Sequence, residues 1–194
     1  MSNNIASKLV NGMKGGLVAA LKGSADVGST LVHVVKDLTV STVKGTGEVV
    51  VKGIQLPASI VKGSLHGIKE IGVVFIKSVK GVVDGAIQGA MESGVEQKDA
   101  VSGSVKQAIH TAEELGHDVA DVAVESVRGS LNAVSQVGGD TASALKTAVI
   151  SSYMAAEKIS LEAAIQVERA LKEAFDGAHD VLEEIKSSKQ EEQK

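Results

Sequence analysis

Four side chains with metal-binding chemistry share one stripe of a helix in the second half of the chain: His110, Glu114, His117 and Asp121. The Glu114-x-x-His117 spacing occurs in carboxylate-bridged di-metal sites of helical bundles. Such a site also needs inward-facing carboxylates on two further helices. These four residues fall at the polar positions of a longer repeat, so a solvated helix face explains them more simply. With no nucleophile, base and orienting group at a catalytic spacing either, the sequence predicts no metal, cofactor or catalytic site.

The repeat that contains them has a period of eleven residues. One column, taken every eleven residues, is apolar without interruption: Val10, Leu21, Val32, Val43, Ile54, Leu65, Ile76 and Ile87. A second apolar column includes Ile71 and Val82. Eight apolar residues in a row would arise by chance on the order of once in a thousand tries. Eleven residues in three turns is about 3.67 per turn, which keeps one face of an α-helix constant.

The composition restricts how such helices can be stabilised. The chain has 194 residues, 43% of them hydrophobic but only 2% aromatic, with 21 glycines, one proline and no cysteine. At about 1 kcal/mol per glycine relative to alanine, an isolated helix would be strongly disfavoured. Its apolar face must therefore be covered, either by another helix or by lipid. The predicted fold class is all-α, without a β-sheet: long amphipathic helices, elongated or packed as a hairpin or bundle. Whether they form in water or only on lipid stays open.

Composition shifts divide the chain into five segments. The sequence predicts a polar lead (1–8), a basic Gly- and Val-rich repeat region (9–94) with a kink at Pro57, an acidic repeat region (95–139), a C-terminal helix (140–186) and a polar tail (187–194). Small residues four apart in the second segment, such as Gly81, Gly85 and Gly89, indicate a close helix–helix seam or a lipid-facing edge.

The net charge of −4 conceals an asymmetry. Residues 1–90 hold ten lysines and five acids, a net charge of +5, and residues 91–194 hold ten bases and nineteen acids, a net charge of −9. The basic half favours an anionic partner surface. The residues predicted to contact that surface are Lys22, Lys44, Lys62, Lys69, Lys77 and Lys80. That half has no arginine and one aromatic residue, which argues against nucleic acid. Uncharged stretches are too short to span a bilayer, and no secretory signal is expected.

Three phrases of the repeat resemble those of synucleins and of the eleven-residue repeats of perilipins: Lys22-Gly-Ser-Ala-Asp26, Lys44-Gly-Thr-Gly-Glu48-Val49 and Lys69-Glu70-Ile71-Gly72-Val73. The resemblance is one of pattern and covers roughly residues 9–95. It implies long amphipathic helices that lie on lipid surfaces.

The first functional interpretation is therefore a non-enzymatic, cytoplasmic protein whose basic half binds anionic membranes or lipid particles. Its lipid-facing residues would be the column residues Val10, Leu21, Val32, Val43, Ile54, Leu65, Ile71, Ile76, Val82 and Ile87. The alternative is a structural protein in which the same stripe packs against itself or other copies, as a bundle or filament. A third interpretation is a stress-protection protein that folds on drying. No small-molecule substrate is predicted, and a homo-oligomer is the second candidate partner beside the lipid surface.

Overall fold

The computed structural model of the chain describes residues 26–45 and 55–191. Eight α-helices make up almost all of these ranges, and neither range contains a strand. They are α1 (Val27–Gly45), α2 (Gln55–Ile71), α3 (Phe75–Glu92), α4 (Gln97–Leu115), α5 (Val119–Gln136), α6 (Thr141–Ile159), α7 (Leu161–Ala174) and α8 (Ala178–Glu191). The all-α prediction is confirmed.

Each helix packs against the next helix in the chain and against the next but one. The odd-numbered helices α1, α3, α5 and α7 therefore form one row, and the even-numbered helices form a second row against it. A single hydrophobic core made mainly of Val, Ala, Leu and Ile runs from Leu31 to Leu182. Together the two rows make a helical repeat whose helices cover one another's apolar faces.

The loops show that two eleven-residue repeats make one structural unit. Gly72, Gly94, Gly116 and Gly138 lie 22 residues apart and have φ angles of +72°, +89°, +73° and +74°. Glycine reaches this left-handed conformation without the strain that a Cβ atom brings, which is why it ends helices so often. One helix and its connecting loop thus occupy 22 residues, and the chain reverses at every second repeat.

The residues that precede α3, α4, α5 and α6 form a matching N-cap column: Val74, Glu96, Asp118 and Asp140. The Asp118 carboxylate accepts hydrogen bonds from the backbone N–H groups of Ala120 and Asp121, at 2.8 and 3.1 Å. Asp140 caps α6 in the same way, whereas the side chains of Val74 and Glu96 make no capping hydrogen bond. The loop geometry is therefore common to all four positions and the cap chemistry to only two of them.

The single C-terminal helix predicted for 140–186 is wrong, because the structure divides this segment into α6, α7 and the start of α8. Ser160 has extended backbone angles (φ −166°, ψ 161°), and its hydroxyl oxygen accepts a hydrogen bond from the Ala163 N–H at 3.0 Å. Farther on, Phe175 is extended and Gly177 has a φ of +87°. Good helix formers on both sides of Ser160 hid a break that its own cap stabilises.

Two smaller boundaries also differ. Pro57 lies in the first turn of α2, where the missing N–H has no intrahelical partner to lose, and α2 continues past it to Ile71 without a break. The polar tail predicted for 187–194 belongs to α8 as far as Glu191. Within the described ranges, no helix combines the length and apolar character that crossing a bilayer requires.

Candidate functional site

The Glu114 carboxylate of the predicted metal stripe points to α2. Its oxygens lie 2.8 Å from the Lys62 ammonium nitrogen and 3.5 Å from the His66 Nε2 atom. The hydrogen bond from Lys62 lowers the pKa of the Glu114 carboxyl below its ordinary value. Glu114 therefore joins α2 to α4 through an ion pair.

The other members of the stripe are separated. His117 lies in the loop after α4, where its ring stacks on Phe75 with 3.8 Å between ring centroids. His110 is half-buried within α4, and Asp121 is exposed in the first turn of α5. In the described ranges, no three His, Asp or Glu side chains are grouped so that they could hold a metal ion.

Most of the predicted lipid-facing residues that the structure describes are turned towards other helices. Leu65, Val82 and Ile87 are fully buried, and Val32, Val43 and Ile76 are partly buried. The lipid-facing assignment is wrong for the first three in this conformation, because neighbouring helices already cover them. Val10, Leu21 and Ile54 lie outside the described residues, as does the side chain of Ile71.

The predicted anionic-surface lysines divide between internal contacts and free positions. Lys62 pairs with Glu114, and the Lys69 ammonium donates to the Leu115 carbonyl oxygen at 3.4 Å. Lys44 is exposed near the end of α1, and Lys77 and Lys80 are exposed on α3. Lys22 precedes the described residues.

The seam predicted from the glycine spacing is confirmed for α3, which lies very close to α1. A Cβ atom added at Gly85 would lie 2.5 Å from the Val32 carbonyl oxygen, and one at Gly89 would lie 2.6 Å from the Thr39 Cβ atom. On the other side, a Cβ atom at Gly129 of α5 would lie 2.6 Å from the Lys80 carbonyl oxygen. Glycine is needed at these positions because backbone groups occupy the space of a side chain.

A groove of about 440 Å³ follows this seam along the outer side of the odd-numbered row. Its floor is α3, and its walls come from α1 and α5. At the centre of the floor lies Asp84, only 1% exposed. The Asp84 carboxylate accepts hydrogen bonds from Gln88 Nε2 at 2.7 Å and from Asn132 Nδ2 at 2.6 Å. Burial raises the pKa of the Asp84 carboxyl, although these two hydrogen bonds and the more distant charge of Lys80 oppose the shift.

Lys77 and Lys80 line the groove at its exposed side. Neither ammonium group forms an ion pair with any residue that the structure describes. On the α1 wall, Ser29 donates its hydroxyl to the Asp26 carboxylate at 2.7 Å, and His33 is exposed. The groove therefore combines a buried acceptor floor with a cationic margin.

A second unusual surface lies on α7. Leu161 is 76% exposed and Ile165 is 56% exposed, one turn farther along the same helix. The opposite face of α7 carries the buried residues Ala163, Ala164, Val167 and Leu171. Helix α7 is the last of the odd-numbered row, so no described helix follows it in that row.

The arrangement is that of a helical repeat protein. A similar solved structure is the crystal structure of DHR7, a de novo designed helical repeat protein. The two are 17% identical, with a TM-score of 0.52, over 95% of this chain and 96% of that chain. Comparison with protein-family models and with curated proteins found no match. At this identity the likeness shows the fold alone.

The sequence contained a signal for the groove that its periodicity obscures. Asp84 is the only acid between Glu70 and Glu92 and stands outside the acidic column to which both of those residues belong. Its neighbours Val82, Val83, Ala86 and Ile87 are all apolar. An isolated acid in an apolar run predicts a buried carboxyl, but nothing in the sequence points to Asn132 as its partner, 48 residues away.

Proposed function

We propose that this chain is a non-enzymatic structural protein that assembles from end to end through the uncovered face of α7. The observation that carries the proposal is the exposure of Leu161 and Ile165 on the last helix of a row. A helical repeat needs a polar outer face on its terminal helix to remain soluble as a single copy. The outer face of α7 is only partly polar, because Leu161 and Ile165 are exposed beside Glu162, Gln166 and Arg169 where a further helix would pack.

Charge favours a second copy as the occupant. Residues 161–191 hold eight acids and four bases, a net charge of −4. Residues 1–25 hold three lysines and no acid, and they carry the apolar column residues Val10 and Leu21. The basic start of one copy thus complements the acidic end of another in both charge and apolarity. Contacts between two different surfaces of the same protein produce closed rings if the rotation between copies closes and open chains if it does not.

Sedimentation velocity over a concentration series tests this proposal. The full-length protein is expected to associate more as its concentration rises. Leu161→Glu/Ile165→Glu is expected to remain monomeric, because the charges would have to be buried in the contact. Val74→Glu is the matched control, since Val74 is 60% exposed but lies in the loop before α3. This control should associate like the unmodified protein.

A mixing experiment tests the direction of assembly. Val10→Glu/Leu21→Glu should also be monomeric alone, because it lacks the other half of the contact. In a mixture of the two variants, Val10→Glu/Leu21→Glu keeps an intact α7 face and Leu161→Glu/Ile165→Glu keeps an intact basic segment. One contact can form between them, so the mixture should form dimers and nothing larger. Thermal melts confirm that each variant is folded. A monomeric unmodified protein at every concentration, or a mixture that stays monomeric, would refute end-to-end assembly.

A further inference from the structure

The floor of the groove is rich in hydrogen-bond acceptors. Gln88 and Asn132 each donate an amide N–H to Asp84. An amide oriented in this way keeps its carbonyl oxygen as an acceptor, and a carboxylate has about four lone-pair positions. Burying a carboxyl group in this way is unfavourable unless a partner compensates. The group that best matches such a floor is a primary ammonium, which has three N–H donors and a positive charge.

The margin of the groove has the opposite preference. Lys77 and Lys80 bring two positive charges beside the floor, and neither is neutralised by an ion pair within the described residues. A simple cation that enters the groove would meet their repulsion, and a simple anion would meet the Asp84 carboxylate. Only a ligand that carries both charges satisfies the floor and the margin together.

We propose that the groove between α1, α3 and α5 binds a small zwitterion, with its primary ammonium group on Asp84 and its carboxylate or phosphate group beside Lys77 and Lys80. The groove volume of about 440 Å³ lies in the range of small-molecule sites. Free amino acids and aminoalkyl phosphates have this chemistry, and so do the headgroups of some lipids. The site uses no residue of the α7 face and is independent of end-to-end assembly.

Calorimetric titration of the full-length protein tests the two halves of the site separately. The probes are serine and O-phosphoethanolamine as zwitterions, ethanolamine as the ammonium half, and inorganic phosphate as the anionic half. Each zwitterion is expected to bind at least about tenfold more tightly than either half, because it makes charge-assisted contacts at both ends. Asp84→Asn should weaken zwitterion binding by at least about tenfold, and it should strengthen phosphate binding because it removes the like charge that opposes the anion.

Two further variants sharpen the test. Lys77→Gln/Lys80→Gln should weaken binding of both zwitterions and of phosphate, but not of ethanolamine. Asp121→Asn is the matched control, because it neutralises an exposed carboxylate on α5 without touching the groove. It should bind every probe as the unmodified protein does. Thermal melts show that each variant is folded.

Vesicles distinguish the two sources of the ligand. Binding to phosphatidylethanolamine but not to phosphatidylcholine vesicles, with competition by O-phosphoethanolamine, would identify a headgroup, because the choline ammonium has no N–H. Binding of the free zwitterions alone would identify a soluble ligand. The proposal is overturned if neither zwitterion binds saturably, if Asp84→Asn binds them unchanged, or if phosphate alone binds as tightly as either zwitterion.

Discussion

Replacing Gly85 by alanine tests the close packing of α1 on α3. The added Cβ atom would lie 2.5 Å from the Val32 carbonyl oxygen, 3.0 Å from the Lys36 backbone nitrogen and 3.0 Å from the Val35 Cβ atom. Two of these three atoms belong to the backbone and cannot rotate away. An ordinary contact begins near 3.4 Å, so α1 must move by the difference of 0.9 Å.

The magnitude follows from two opposing effects. Alanine favours the helix over glycine by about 1 kcal/mol. Overpacking costs about 1–3 kcal/mol, and more when backbone must move. Moving α1 also opens a gap at Leu31 and Val35, which are fully buried, and a gap of that size loses a quarter to a half of each contact energy. We expect a net destabilisation of about 1–2 kcal/mol, which lowers the Tm by about 2–8 °C in a chain of this length.

Thermal unfolding followed by circular dichroism measures this change, and Gly28→Ala is the matched control. Gly28 also lies in α1, but a Cβ atom there meets only Asp26 Oδ1, at an ordinary 3.5 Å. The control should be neutral or slightly stabilised. If Gly85→Ala is as stable as the unmodified protein, or more stable, then α1 does not pack on α3 as described and helix propensity alone governs this position.

Three further substitutions have expected outcomes. Val74→Asp should stabilise the protein by about 0.5–2 kcal/mol in chemical denaturation, because it gives α3 the side-chain N-cap that Asp118 gives α5. No gain in stability would show that α3 begins elsewhere. Gly116→Ala should lower the Tm even though no atom lies within 4 Å of the added Cβ atom, because alanine at a φ of +73° costs about 1–2 kcal/mol. An unchanged Tm would refute the left-handed turn. Asp84→Asn should raise the stability at neutral pH. Folding raises the pKa of Asp84, so the Asp84 side chain destabilises the unmodified protein only where the unfolded chain would ionise it. This destabilisation is absent at low pH and grows as the pH rises above the ordinary carboxyl range. The stability advantage of Asp84→Asn should therefore vanish in acid.

The sequence predicted the helices better than their ends. An eleven-residue apolar column keeps one face of a helix of about 3.67 residues per turn apolar, so the column through Leu65, Ile76 and Ile87 favours the all-α fold class. The same column continues in phase through the reversals at Gly72 and Gly94, since 22 is twice eleven. The period therefore could not show where one helix stops and the next begins.

The sequence also could not predict whether lipid or protein covers the apolar faces of the helices. Glycine at Gly85 fits a flexible lipid-facing edge and a tight seam alike, and only the position of Val32 in space decides between them. For the groove, the sequence marks Asp84 as unusual. Its contact with Asn132 depends on α5 packing beside α3, which is a property of the tertiary structure.

Amide hydrogen exchange in lipid-free buffer tests the central claim most directly, which is that the helices cover one another's apolar faces in water. Every residue from 81 to 90 in α3 is buried. The amides of this segment should exchange only through global unfolding and be among the slowest in the protein. Anionic vesicles should leave that protection unchanged. Rapid exchange throughout α3 in buffer, followed by protection on the addition of anionic vesicles, would contradict the packed repeat and favour helices that form on lipid.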